Sequence, residues 1–157
     1  MRVGSLGMTS EKDPDRAARM SAAPRLSIVP GPALRESDAW RVPFRIANEG
    51  SGALRVRSSW LPHGRFRGDE REHQVEVAPG ASESLDLVAR STGTPGEVVE
   101  NVFLILRTEQ DGARWRVLAR LTIRFDESAR PRPEVAVITS QPVGFSGVED
   151  DDAARRA

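Results

Sequence analysis

Cysteine and tyrosine are both absent from this 157-residue chain, and lysine occurs once, at Lys12. Without cysteine there can be no disulfide, no thiolate metal site and no cysteine nucleophile, and a reducing compartment is allowed. Without tyrosine, one common catalytic hydroxyl and one common interface anchor are missing. The longest purely apolar run is Val102–Leu106, far short of the ~20 residues that cross a bilayer as a helix. The opening stretch MRVGSLGMTSEKD carries Arg2 but no apolar core of the ~7–15 residues that a secretory signal needs. A cytoplasmic location, with no membrane partner, is the expectation.

Charge is balanced at 23 basic and 23 acidic residues, so no overall field draws in nucleic acid or a membrane surface, and nucleic acid is an unlikely partner. Every basic residue except Lys12 is an arginine. GC-rich coding accounts for this simply; selection for planar, bidentate recognition of carboxylate or phosphate is the alternative. No G-x-S-x-G elbow, G-x-G-x-x-G string or P-loop occurs in the sequence, so the common nucleophile and phosphate-cradling motifs are missing. No cofactor is expected.

What is present is a rhythm of short extended segments. Residues 1–24 are polar and alanine-rich, with at most an amphipathic turn near Asp15–Met20, and are expected to be disordered. Met8 and Met20 are further conceivable start sites. From Arg25 the pattern changes. Leu26–Val29 reads as a first strand closed by Pro30-Gly31-Pro32. Trp40, Val42, Phe44 and Ile46 then alternate with Arg41, Pro43, Arg45 and Ala47, the period of a half-buried strand. Pro43, which has no N–H, points to an edge or a bulge there. Leu54, Val56 and Trp60 continue the alternation after the Asn48–Gly52 turn, and Pro62–Glu72 reads as a charged loop with a brief strand near Phe66.

Val75 and Val77 lead into the turn Ala78-Pro79-Gly80-Ala81, and Leu85 and Leu87 mark the next strand. Val102–Leu106 reads as a central strand apolar on both faces, and Gln110-Asp111-Gly112 as a tight hairpin turn. The strongest pattern follows. Trp115, Val117, Ala119, Leu121, Ile123 and Phe125 occupy one face, and Arg114, Arg116, Leu118, Arg120, Thr122 and Arg124 the other. In a helix six such alternations would scatter the apolar groups around the axis, so a strand is the economical solution.

About seven strands with frequent turns and no helical interruption predict an all-β, two-sheet antiparallel sandwich of the immunoglobulin-like class with flexible tails. The sandwich is expected over 25–126. Residues 127–157 form an extension with an extra strand at 134–140 and an acidic, mobile end at Glu149–Asp152.

The series Phe44-Arg45-Ile46-Ala47-Asn48-Glu49-Gly50, then Val77-Ala78-Pro79-Gly80 and Leu85-Asp86-Leu87, resembles the bacterial immunoglobulin-like domains of the CARDB and ASH/MSP type. In those domains a strand ends in Asn-x-Gly and a later Pro-Gly turn opens the strand that pairs back. The resemblance covers roughly residues 25–126. It implies a sandwich used for adhesion, scaffolding or docking, and it transfers no catalytic residue.

Three constellations invite a functional reading. His63 and His73 flank a loop holding Asp69, Glu70 and Glu72; imidazole and carboxylate suit zinc or iron, although the spacing matches no known ligand motif and solvated loop histidines are the simpler reading. Arg67-Gly68-Asp69 spells a tripeptide that some extracellular receptors bind, yet three-residue strings arise by chance. The third is a face. If Trp115 and its companions point inward, Arg114, Arg116, Arg120 and Arg124 line the outside of one strand. Neighbouring strands would add Arg55, Arg57 and Arg107, with Phe103, Ile105 and Leu118 among them.

Arginine mixed with exposed apolar groups is the composition of an interface, although a solvated face whose arginine stems cover apolar neighbours has the same pattern. These ten residues are the expected partner-binding set of a non-catalytic protein-interaction or scaffolding module, docking a protein partner or its own copy. The alternatives are an accessory domain for an anionic sugar or nucleic acid, and, more remotely, a metal-dependent enzyme at His63 and His73. The segment Glu134–Phe145 is expected to cover that face, pair with a sheet edge or be donated to another molecule.

Overall fold

The computed structural model describes residues 22–144. The Asp15–Met20 turn, most of the N-terminal tail, Phe145 and the acidic Glu149–Asp152 stretch lie outside the described residues. Nine strands and no helix form the described chain: β1 (Leu26–Pro30), β2 (Leu34–Glu36), β3 (Ala39–Asn48), β4 (Leu54–His63), β5 (Phe66–Val77), β6 (Ser82–Ser91), β7 (Val98–Gln110), β8 (Ala113–Phe125) and β9 (Pro131–Val143). Among the described residues there is accordingly no helix long and apolar enough to cross a membrane. Every pairing is antiparallel.

The hydrogen-bonded path runs β1-β3-β6-β5-β4-β7-β8-β9, with β2 added alongside β3. Its two ends, β1 and β9, pack against each other, so the sheet curls into a nearly closed barrel. The all-β expectation holds, but with nine strands, eight on one path and β2 beside it, rather than about seven in two separate sheets. The single path depends on one short join. β5 meets β6 through only two residue pairs, Phe66 with Ser91 and Arg67 with Arg90. Gly68 follows immediately, and a Cβ on it would stand 2.7 Å from the carbonyl oxygen of Val88, so glycine is what lets the two backbones meet this closely.

The alternation read from the sequence lines the interior. Trp115, Val117, Ala119, Leu121, Ile123 and Phe125 are all buried, as are Val42, Phe44 and Ile46 of β3 and Leu85 and Leu87 of β6. Full burial of side chains such as Phe44, Phe66 and Leu104 contributes about 1.5–3 kcal/mol each. Pro43 sits where its missing donor does no harm. Its carbonyl accepts the Gly31 N–H at 2.7 Å, and its own nitrogen lies on that same side, opposite the break between β1 and β2.

Asn48 fastens one end of the barrel. Its side chain is buried and donates to the carbonyls of Gly52 and Val77 at 2.8 and 2.9 Å, while its Oδ1 accepts the Gly50 N–H. Its backbone exchanges bonds with the next turn, the Asn48 N–H going to Ala81 O and the Gly80 N–H to Asn48 O. A turn asparagine thus joins the β3–β4 turn to the β5–β6 turn. At the opposite seam, Arg130, in the β8–β9 loop, donates to the Ala33 carbonyl and lies over the Trp40 ring, which Arg35 also approaches at 5.0 Å.

Two segments differ from the sequence reading. Pro62–Glu72 is not a loop: β4 continues to His63 and β5 starts at Phe66. Few apolar residues mark β5 because its ladder with β4, not burial, holds most of it. The extra strand expected at 134–140 spans 131–143 and pairs with β8 along its length. Val135 and Ile138 pack against the core, and a register shift between them keeps both on the inner side despite their odd and even positions. Of the three roles expected for that segment, pairing with an edge is the one observed.

Candidate interaction face

The outer surface of β4, β7, β8 and β9 is organised by cross-strand register, because residues directly opposite one another share a face. One row reads Glu76, Arg55, Glu109, Arg114, Val143 across β5, β4, β7, β8 and β9. The next reads Glu72, Ser58, Arg107, Arg116, Gln141. Then the chemistry changes. Trp60, Ile105, Leu118 and Thr139 form the third row, and Phe103, Arg120 and Val137 the fourth. Trp60, Phe103 and Val137 are 41%, 39% and 42% exposed, and Ile105 and Leu118 are half-buried. Five apolar side chains therefore form a contiguous band across four strands, with Arg120 set into it. Beyond it, Arg124 lies between Val98 and Arg132.

The sequence placed Trp60 on the same side as Leu54 and Val56. The structure turns it outward, because a register shift between Val56 and Ser58 leaves Arg57 as an extra residue in β4. Such a bulge inverts the parity of everything after it. Leu61, not Trp60, is the buried apolar residue that follows Val56. Val137 was missed for the same reason, since the shift in β9 puts it opposite Arg120. The ten expected residues do lie together on this one face; Trp60 and Val137 complete its band.

Arginines at and between the first two rows are partly engaged with carboxylates. Arg57 Nη1 lies 2.6 Å from Glu109 Oε2, and Arg107 Nε lies 3.5 Å from Glu70 Oε2, which also accepts the Ser58 hydroxyl at 2.9 Å. Farther along, Arg124 Nε reaches both oxygens of Glu134 at 3.1 Å. A cavity of about 460 Å³ opens here, lined by Arg57, Arg107, Arg114 and Arg116 on one side and by Glu70, Glu72 and His73 on the other. Its charges are mixed.

The two histidines are not brought together. His63 faces Phe66 at the hairpin end, where its Nδ1 accepts the Arg65 N–H at 3.0 Å. His73 lies seven residues farther along β5 than Phe66 and pairs with the Ser59 hydroxyl at 2.8 Å. Burial, and then the charge of Arg71, lowers its pKa below the ordinary imidazole value. Among the described residues no group of three or more His, Asp or Glu side chains is placed to hold a metal ion. Arg67-Gly68-Asp69 lies within β5, at the join to β6, on a cleft of about 610 Å³.

No protein-family model matches the chain, and no curated protein matches it in sequence.

Proposed function

We propose that this chain is a non-catalytic protein-interaction or scaffolding module that docks through the outer face of β4, β7, β8 and β9. The observation that carries the reading is the apolar band Trp60–Ile105–Leu118 with Phe103 and Val137, bordered by arginines. Aromatic and arginine side chains are the groups that dominate binding energy at protein interfaces, and a contiguous exposed apolar patch is costly to leave in water. The slender β5–β6 join supports describing the barrel as two sheets, β1-β3-β6 and β5-β4-β7-β8-β9, meeting at one corner. That arrangement is compatible with an immunoglobulin-like sandwich of the CARDB or ASH/MSP kind. The Asn48 clasp onto the Pro79-Gly80 turn supports the same kinship. A cytoplasmic setting belongs to this reading, since a fold without cysteine needs no oxidising compartment.

The second reading, an accessory domain for an anionic sugar or nucleic acid, is favoured by the four arginines around the 460 Å³ cavity. The ion pairs of Arg57 with Glu109 and of Arg107 with Glu70 weigh against it, because a polyanion would have to displace carboxylates already seated there.

The test is site-specific photo-crosslinking of the full chain in its native host. A photoreactive residue at Phe103 is compared with one at Val29, which is 56% exposed on β1. Protein adducts at Phe103 that are absent at Val29, and lost in the Arg116→Glu/Arg120→Glu variant, support docking. Identical patterns at both positions, or none at either, overturn it.

A further inference from the structure

The docking reading leaves the occupant open, and the register of the face narrows it. We infer that the face is built to pair with a second copy of the same chain, an assignment that rests on the docking reading. The first row runs Glu76, Arg55, Glu109, Arg114 across β5, β4, β7 and β8, so its charges alternate in sign over four consecutive strands. Read backwards, every position carries the opposite sign. A two-fold axis parallel to the strands, passing between β4 and β7, brings such a row against its own reverse.

Arg55 then meets Glu109 of the second copy, a carboxylate that Arg57 of its own chain already holds through Oε2, and Glu76 meets its Arg114. Both contacts occur twice, as isologous symmetry requires. The same operation lays Trp60 over Ile105 of the second copy, placing Trp60, Ile105 and Phe103 beside the axis, while Leu118 on β8 lies over β5 of the second copy and Val137 on β9 falls outside the four-strand contact. An apolar centre with a charged rim is the anatomy of a protein interface. The strand composition agrees: β8 holds four arginines and no acid, whereas β5 holds Asp69, Glu70, Glu72 and Glu76 against two arginines. A face that is acidic on one flank and basic on the other complements itself.

Glu76 and Arg114 provide a decisive test because they do not meet within one copy; three strand spacings, about 14 Å, separate β5 from β8. Sedimentation equilibrium of the full chain over a wide concentration range should show a reversible dimer. Trp60→Ser should weaken it about tenfold or more, the loss expected when a central aromatic anchor is removed. Glu76→Arg and Arg114→Glu should each favour the monomer, since each sets like charges together twice. Mixed one to one, the two variants should form a heterodimer in which both contacts are of opposite sign again. That rescue cannot come from within a chain, and a misfolded variant could not produce it.

A wild-type chain that stays monomeric while another protein still crosslinks at Phe103 overturns the second-copy assignment and leaves the docking reading standing. A dimer indifferent to all three substitutions, or a mixture no more associated than its components, also overturns the assignment.

Discussion

The two outer surfaces of this barrel are made from the same kind of strand and differ in what they expose. On the β1–β3–β6 side, Val29 and Leu34 are exposed, but each stands beside an arginine, Arg45 and Arg41 respectively, and the rest of the β3–β6 surface is Pro43, Ala47, Ser82, Ser84, Asp86 and Val88. On the β4–β7–β8–β9 side the large apolar groups are adjacent and form one band. Scattered surface apolar groups need no explanation, whereas a contiguous patch signals a contact. Exposure alone does not distinguish the two sides; register does.

The largest effect available separates the inside of that face from its outside. Leu104 and Phe103 are consecutive in β7, one fully buried and the other 39% exposed. Leu104→Ala should cost about 2–5 kcal/mol in denaturant unfolding, through lost burial and the cavity left behind. Phe103→Ala should cost less than about 1 kcal/mol and should act on association instead. Comparable destabilisation by both would mean that Phe103 is a structural residue and that the band is part of the fold.

This contrast also shows what the sequence could and could not reveal. Strict alternation placed all six inward residues of β8 correctly, because a half-buried strand has only two faces. It failed at Trp60, and it did not single out Val137. A bulge adds one residue without changing composition, so the pattern before it and the pattern after it are each regular and only their phase differs. β5 was hidden for another reason: from Arg67 to Gln74 it has no apolar side chain, and it is recognisable as a strand only once β4 is beside it. The arginine rows were legible as a list of residues. Their alternation in sign with Glu76 and Glu109 was not, because those neighbours come from other strands.

The next effect tests what holds the two differing sides together. Asn48, at the end of β3, reaches Val77 O at the end of β5, and so bridges the two surfaces. Asn48→Ala removes donors from two carbonyls and the acceptor from the Gly50 N–H. Leaving buried backbone groups unpaired costs about 1–3 kcal/mol each, and solvent entry at the turn should limit the total to about 2–4 kcal/mol. Hydrogen exchange should rise in β3 and β5 together. A loss confined to β3 would show that the two sides are coupled elsewhere.

The smallest expected effect concerns the other junction, where the β4–β5 hairpin meets the loop before β7. Arg65 holds Glu97 in a two-pronged contact, at 2.5 and 2.7 Å, and the Thr94 N–H donates to the same carboxylate at 3.0 Å. The Arg65 hydrogen bond, reinforced by Thr94, lowers the Glu97 pKa to about 2. A folded-state pKa below the unfolded one means that the unfolded chain binds the proton more readily. The stabilisation is therefore complete above the ordinary carboxylate range and disappears as pH falls through about 2. Both side chains are solvated, so the contribution is modest. In urea titrations, Glu97→Gln should lie below the wild type at neutral pH and converge with it as pH approaches 2. A gap between the two that does not change with pH would show that the contact acts through shape rather than charge.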